Sequence, residues 1–439
     1  MEPLPPWLMF VALFGAILAG LPVAYSLIAV SLLFGLPLFG SHLGQQFYGR
    51  LYEAASNYTL AAVPLFIFMG VMLERSGIAE RLFNAMQLWL GRLPGGLAVA
   101  VITMCAIFAA ATGIIGAVEV VVGMMAIPPM LRYGYAKDLI SGTISAGGSL
   151  GTLIPPSVLV VIYAGVGSVS VGDLFAGVLI PGLLTVCAFL TYIMIRCWLR
   201  PQDGPPVARS EVEMPLGRKL TITIGALIPA LLLVLAVLGS ILAGIASPTE
   251  AAAVGAIGAV ALTLAYRRFT WAILWEVAHK TITLNAMILL IVAGGMMFST
   301  IFIVSGGNQM VRDIVAGAGL STNSMIVLFL GIIILAGFIL DWVTIVLICI
   351  PIFTPMLREA GVDLVWFAVM AIVAIQTSYL TPPMAPTIFY LRAIAPREIT
   401  YGHMAWGVMP FVGMLVAVLL IIGFVPATAT YLPSVLFGF

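Results

Sequence analysis

A chain of 439 residues that is 62% hydrophobic and 8% charged lies outside the composition of soluble domains, which run at about 45 to 50% apolar and about 25% charged. A spanning helix needs about 20 mostly apolar residues and such runs recur from end to end, so the sequence reads as an all-α polytopic membrane protein with the lipid bilayer as its first partner. The net charge of +1 gives no reason to expect nucleic acid.

Met1 to Pro6 contains Glu2 and no Lys or Arg. The basic lead-in of a cleavable signal is missing, and Trp7 onward reads as a retained span. Residues 5 to 20 and 22 to 40 are two short spans around Pro22, and 58 to 76 is a third containing Pro64. Residues 77 to 93 carry Glu80, Arg81 and Arg92 among Ile78, Leu82, Phe83, Met86 and Leu90. This amphipathic pattern suits an arm along the membrane interface.

Residues 95 to 131 are apolar or small, interrupted by Ala111 to Gly116. Their length fits either one long tilted helix or a re-entrant hairpin with its tip at that cluster. Residues 138 to 166 contain Gly151-Thr152-Leu153-Ile154-Pro155-Pro156-Ser157. Each internal proline deletes a backbone hydrogen bond at a cost of roughly 3 kcal/mol or more. A spanning helix is broken here, and the break must be buried in protein or line a wet cavity. Residues 173 to 199 span again, and 200 to 217 form a polar, proline-containing linker.

After the linker the plan restarts. Spans at 219 to 243 and 248 to 266 flank Ser247, Pro248 and Glu250, which fit a capping box with proline at the first helical position. Residues 281 to 305 span, 307 to 320 are arm-like, and 321 to 357 are apolar with an interruption near Gly337 to Asp341. Residues 364 to 392 hold a second break, Ser378-Tyr379-Leu380-Thr381-Pro382-Pro383-Met384, and 404 to 426 close the series. Pro22 and Pro248 are 226 positions apart, as are the two copies of Pro-Met-Leu-Arg that begin at Pro129 and Pro355; the double prolines are 227 apart. Three matches at nearly one offset indicate a duplication, with a first repeat over 1 to 199, a linker over 200 to 217 and a second repeat over 218 to 439.

With 95 to 131 taken as a hairpin, each half crosses the membrane five times, and an odd number inverts the second half. Placing both termini outside leaves only Arg50, Arg312 and Arg358 of the 18 Lys and Arg on the outer side. Such a bias sets orientation, and it favours the hairpin and a cytoplasmic linker.

Paired interrupted segments in two halves point to a transporter's binding site, where half-helix N-termini attract anions and unwound carbonyls coordinate sodium. The first cluster is Thr112, Gly113 and Gly116 at one tip with Gly151, Thr152 and Pro155 opposite. The second is Gly337, Asp341 and Thr344 with Thr377, Ser378 and Thr381. Thr112, Gly113, Gly151, Thr152, Ser378 and Thr381 are the substrate candidates, and the remainder, with Gly113, Gly151 and Thr381 again, are the sodium candidates. Small residues in spans also serve close helix packing. Asp341 and Glu119 are the carboxylates placed deep in these elements, where an ionisable group by default marks an ion or substrate path. Asp341 reads as a sodium ligand or a buried polar partner. Glu119 reads as a coupling ligand, a proton carrier or a vestibule residue. The four cysteines read as packing residues and the three histidines as solvated or interfacial. No phosphate loop, metal motif or Ser-His-Asp set is present, which leaves an enzyme or a nucleotide-driven pump without residues.

Val63-Pro64-Leu65-Phe66-Ile67-Phe68-Met69-Gly70, the run from Gly142 to Ser157, and Ser247-Pro248-Thr249-Glu250-Ala251-Ala252-Ala253-Val254-Gly255 together resemble the large membrane subunit of tripartite ATP-independent periplasmic transporters, over the full chain. The resemblance implies an elevator-type importer of an organic acid in a bacterial inner membrane, with sodium ions as coupling ions and no other cofactor. It implies two partners, a small four-helix membrane subunit and a periplasmic substrate-binding protein. It also implies sodium at the hairpin tips, held by carbonyls and an acidic residue matching Asp341. Where many similar chains have serines at the first tip, this one has Thr112-Gly113-Ile114-Ile115. A stand-alone divalent-anion/sodium symporter and a non-transporting scaffold are the rival readings.

Overall fold

The computed structural model describes residues 5–113, 117–208 and 213–438. Gly116, Ile114 and Ile115 of the first tip, and part of the linker, lie outside the described residues. Every regular element among the described residues is helical.

The first half opens with α1 (Trp7–Leu18), α2 (Val23–Phe39), α3 (Leu43–Ser56), α4 (Ala62–Ser76) and α5 (Ile78–Leu90). Pro64 falls in the first turn of α4, where its missing donor removes no intrahelical bond. Asn57 ends α3 by accepting the backbone N–H groups of Thr59 and Leu60 through Oδ1. Helix α3 was not anticipated, because its sequence is too polar for a span.

Left-handed Gly77 turns α5 by 62° from α4. The amphipathic arm therefore exists, but its apolar face is not left for lipid. Ile78, Leu82, Phe83 and Met86 are buried against α6 (Gly96–Thr112) and the later α11. The stretch of 95 to 131 holds two helices, α6 and α7 (Ala117–Arg132), packed on each other. The first broken helix is α8 (Lys137–Ser149) and α9 (Val158–Gly167), joined through a short 3-10 turn, Leu150–Thr152. Helix α10 (Val171–Leu199) follows.

In the second half, α11 (Leu216–Leu242) contains a π-helical segment at Leu235–Gly239. Helix α12 (Pro248–Ala265) starts with the full capping box at Ser247 and Glu250. Helix α13 (Trp271–Val304) begins ten residues before the span expected at 281 and runs unbroken for 34 residues. The position 226 after Asn57 is Thr283, so the side chain that interrupts the first half has no counterpart here. Helix α14 (Gly307–Gly317) is the second arm and is mostly exposed. Then come a hairpin, α15 (Thr322–Ala336) and α16 (Trp342–Glu359), and a broken pair, α17 (Leu364–Leu380) and α18 (Pro386–Ile394). Helices α19 (Tyr401–Phe424) and α20 (Ala427–Phe437) come last among the described residues; the separate final helix was not anticipated.

Seven helices among the described residues are long and apolar enough to cross a membrane. Helix α1 is described over 12 residues, Trp7–Leu18, within the stretch of 5 to 20 read as a span. One group of helices joins the halves through α4 against α12 and α13, and α2 against α13. Ion pairs fasten this layer: Lys280 to Glu74 at 2.9 Å, and Arg75 to Glu276. The other group gathers both hairpins and both broken helices, with α8 on α6, α7 and α19, and α17 on α15 and α19.

Candidate functional site

Each hairpin tip meets the break in its own half. Gly113 ends α6 in the left-handed conformation at φ 62°, and a Cβ there would lie 2.3 Å from the Pro156 carbonyl oxygen. Only glycine combines that φ with so close an approach. The contact is reinforced by the Val158 N–H, which donates to the Gly113 carbonyl at 3.3 Å. In the second half a Cβ on Gly337 would lie 2.1 Å from Ser378 Oγ. Both Pro155-Pro156 and Pro382-Pro383 peptides are cis.

Asp341 is the N-cap of α16. Its carboxylate accepts the N–H of Val343 at 3.1 Å, the N–H of Thr344 at 3.4 Å, and the Thr344 hydroxyl. The capping and ion-ligand readings are compatible, because a carboxylate offers about four lone-pair directions. Gly337, Asp341, Ser378, Tyr379 and Pro386 border a cleft of about 10 Å³, room for about one water-sized sphere.

The other hydroxyl candidates share one geometry. Thr112, Thr152, Thr377, Ser378 and Thr381 each donate to a carbonyl three or four residues back, at 2.7 to 2.9 Å. This fixes the rotamers and uses the hydroxyl protons, while the oxygen lone pairs stay available to a cation. Gly151 and Pro155 are buried at the first break.

A larger cavity of about 580 Å³ lies between the two groups of helices. Of the expected site residues, Gly113 and Asp341 line it, whereas Thr112, Gly151, Thr152, Ser378 and Thr381 do not. Its walls include residues missed from the sequence: Tyr25, Trp342, Tyr379 and Tyr390, with Met287 and Ile288 of α13. Tyr379 lies inside the second double-proline motif and could have been flagged; nothing local marks α13 as a wall. Asp341 is its one charged lining residue among the described residues.

Glu119 is fully buried, which removes the vestibule reading. Cys105, Cys197 and Cys349 are buried packing residues as expected, but Cys187 is exposed on α10. Among the described residues no cluster of His, Cys, Asp and Glu could hold a metal ion.

Apolar helices in two packed groups, hairpins that meet helix breaks, and a cavity between the groups define a multi-pass membrane transporter. The chain belongs to the tripartite ATP-independent periplasmic transporter family, DctM component, whose family model matches residues 10–428. It is 30% identical to the C4-dicarboxylate TRAP transporter large permease protein DctM of Pseudomonas aeruginosa, over 88% of each chain. It is 29% identical to the sialic acid TRAP transporter large permease protein SiaM of Vibrio cholerae, over 97% of each. With the isethionate TRAP transporter permease protein DctMQ of Oleidesulfovibrio alaskensis it shares 29% identity over 97% of this chain and 66% of that one. The crystal structure of the Alcanivorax borkumensis YdaH transporter, described as having an unusual topology, matches with a TM-score of 0.62 at 18% identity, covering 95% of this chain and 98% of that one. That likeness concerns the fold.

Proposed function

We propose that this chain is the translocating subunit of a sodium-coupled importer for an organic acid, working in a bacterial inner membrane with both termini on the periplasmic side. The observation that carries the reading is the pairing of each tip with its break, at Gly113 with Pro156 and at Gly337 with Ser378. In the second pair the charge of Asp341 borders both the ion-sized cleft and the central cavity.

Sodium in the cleft would meet the Asp341 carboxylate and the Ser378 oxygen, with lone pairs freed by back-bonded hydroxyls nearby. Once the Asp341 charge is offset, the cavity can accept a carboxylate at the N-termini of the half-helices. The group holding the hairpins then slides against the group stitched by Lys280 and Glu74. Gly113, Gly151 and Pro155 would supply a first ion site through carbonyls; Gly116, the remaining candidate there, lies outside the described residues.

The names of the relatives support the partners. A periplasmic binding protein would deliver the substrate, and a small membrane subunit would complete the complex, in keeping with the large permease protein named for the relatives. Substrates named for relatives range from C4-dicarboxylates to sialic acid and isethionate, so the class proposed here stays at an organic acid. The test is uptake into proteoliposomes holding both membrane subunits, with the binding protein added outside. Uptake should need an inward sodium gradient. Robust sodium-independent uptake by this chain alone would overturn the proposal, and sodium-driven uptake without any binding protein would favour a stand-alone symporter.

A further inference from the structure

Glu119, in the first turn of α7, has no exposed surface, and neither carboxyl oxygen has a hydrogen-bond partner among the described residues. Its side chain lies flat against α8: a Cβ on Gly148 would sit 1.8 Å from Glu119 Cγ and 2.7 Å from Oε1. The absent side chain at Gly148 is what makes room for the acid. An ionised carboxylate without donors or a cation is among the costliest groups to bury, yet the chain has set aside a glycine for this one.

Among the described residues no ion pair to it is formed. The titratable groups near enough to feel its charge are Cys105 of α6, Tyr379 of α17 and Tyr390 of α18. On the elements packed against α7, Lys137 pairs with Glu398 and Asp138 with Arg196. Glu74 pairs with Lys280, Arg75 with Glu276, and Glu80 with Arg268, while Arg81 covers the Tyr266 ring. Arg392 of α18 is exposed, whereas Glu119 has no exposed surface. Arg132 is 13 residues along α7, about 20 Å away at helical rise. Beside it lie the Gly148 backbone and, one turn along α7 at Gly123, the side chains of Ile144 and Ile394.

We propose that Glu119 is a proton-binding site of the transport core, carried as the carboxylic acid in this conformation and exchanging its proton toward the central cavity. Tyr379 and Tyr390, which feel its charge, both line that cavity, and this side is the proposed route for the proton. Release breaks the carboxyl O–H bond, sends the proton to the cavity solvent and leaves a carboxylate that its present surroundings cannot hold. Deprotonation therefore requires the hairpin to shift against α8. The use of this proton in transport rests on the transporter reading; the binding of the proton does not.

Infrared spectroscopy of the purified full chain in lipid tests it. Wild type at neutral pH should show a protonated-carboxyl carbonyl band that moves in heavy water, is lost in Glu119→Gln and fades as the pH is raised. Isotope-labelled glutamate in the unaltered chain should shift the same band, so the assignment survives a variant that fails to fold. In the reconstituted complex, Glu119→Gln should flatten the pH profile of uptake. An unchanged band in Glu119→Gln, or no labelled-glutamate band in wild type, overturns the protonated state. A band that persists at every pH where the chain stays folded, with an unaltered uptake profile in the variant, overturns proton exchange. A correct band with no uptake by wild type would instead count against the transporter reading.

Discussion

The side-chain amide of Gln376 donates to Ser149 Oγ over 3.1 Å, between two fully buried residues on different broken helices. They are 227 positions apart, the spacing of the two double prolines. The two interrupted helices thus touch at equivalent places, just before their breaks, through a side-chain hydrogen bond.

That bond predicts an asymmetry. Ser149 Oγ also donates to the Ala146 carbonyl, so Gln376→Leu leaves it satisfied and should cost about 1 kcal/mol. Ser149→Ala instead strands the Gln376 amide in a dry site, at about 1 to 3 kcal/mol. Melting of the purified protein should rank Ser149→Ala as the less stable variant, and adding Gln376→Leu to it should restore part of the loss. A double variant worse than the sum of the two would refute the contact.

The tips predict different outcomes for two alanines. Gly113→Ala meets both a left-handed φ, at about 1 to 2 kcal/mol, and a backbone carbonyl that cannot move aside. Gly337→Ala meets only the Ser378 side chain. Uptake should fall in both, and Ser378→Gly should rescue Gly337→Ala in part, with no single side-chain change rescuing Gly113→Ala. Equal rescue of both would show that the tips are not packed on their breaks.

Asp341→Asn separates capping from ion binding. Asparagine caps a helix about as well as aspartate, so melting should shift by no more than about 1 kcal/mol. Sodium-dependent uptake should be lost. A variant that unfolds, or one that transports with an unchanged sodium dependence, would return Asp341 to a purely structural role.

Ser247→Ala is the control on the static side. It removes the capping box at the start of α12 and should cost about 0.5 to 2 kcal/mol in stability. Uptake per folded molecule should keep its sodium dependence. Altered sodium dependence would mean that this cap couples to the site.

Much of this was legible because membrane helices write their own punctuation. A proline pair in an apolar run, Asn or Ser at a helix start, and Gly at a tip act through the local backbone, and local rules read them correctly at Ser247, Pro155 and Pro382. The cap role of Asp341 obeys the same local rules, since its partners Val343 and Thr344 are two and three residues away, but the sequence reading took it as an ion ligand or a buried polar partner. The arm at α5 was legible as amphipathic, but the partner of its apolar face was not, because lipid and protein offer the same apolar surface to a sequence pattern.

The sequence by itself determined the membrane class, the two hairpins, the two breaks and the family resemblance, all of which follow from hydropathy and from residues that constrain their own backbone. Only the tertiary structure decided that Tyr379, Tyr390 and α13 wall the cavity, that Gln376 reaches Ser149, and that Gly148 makes room for Glu119. These depend on contacts between residues tens to hundreds of positions apart, and in so uniformly apolar a chain no single residue type announces its distant neighbour.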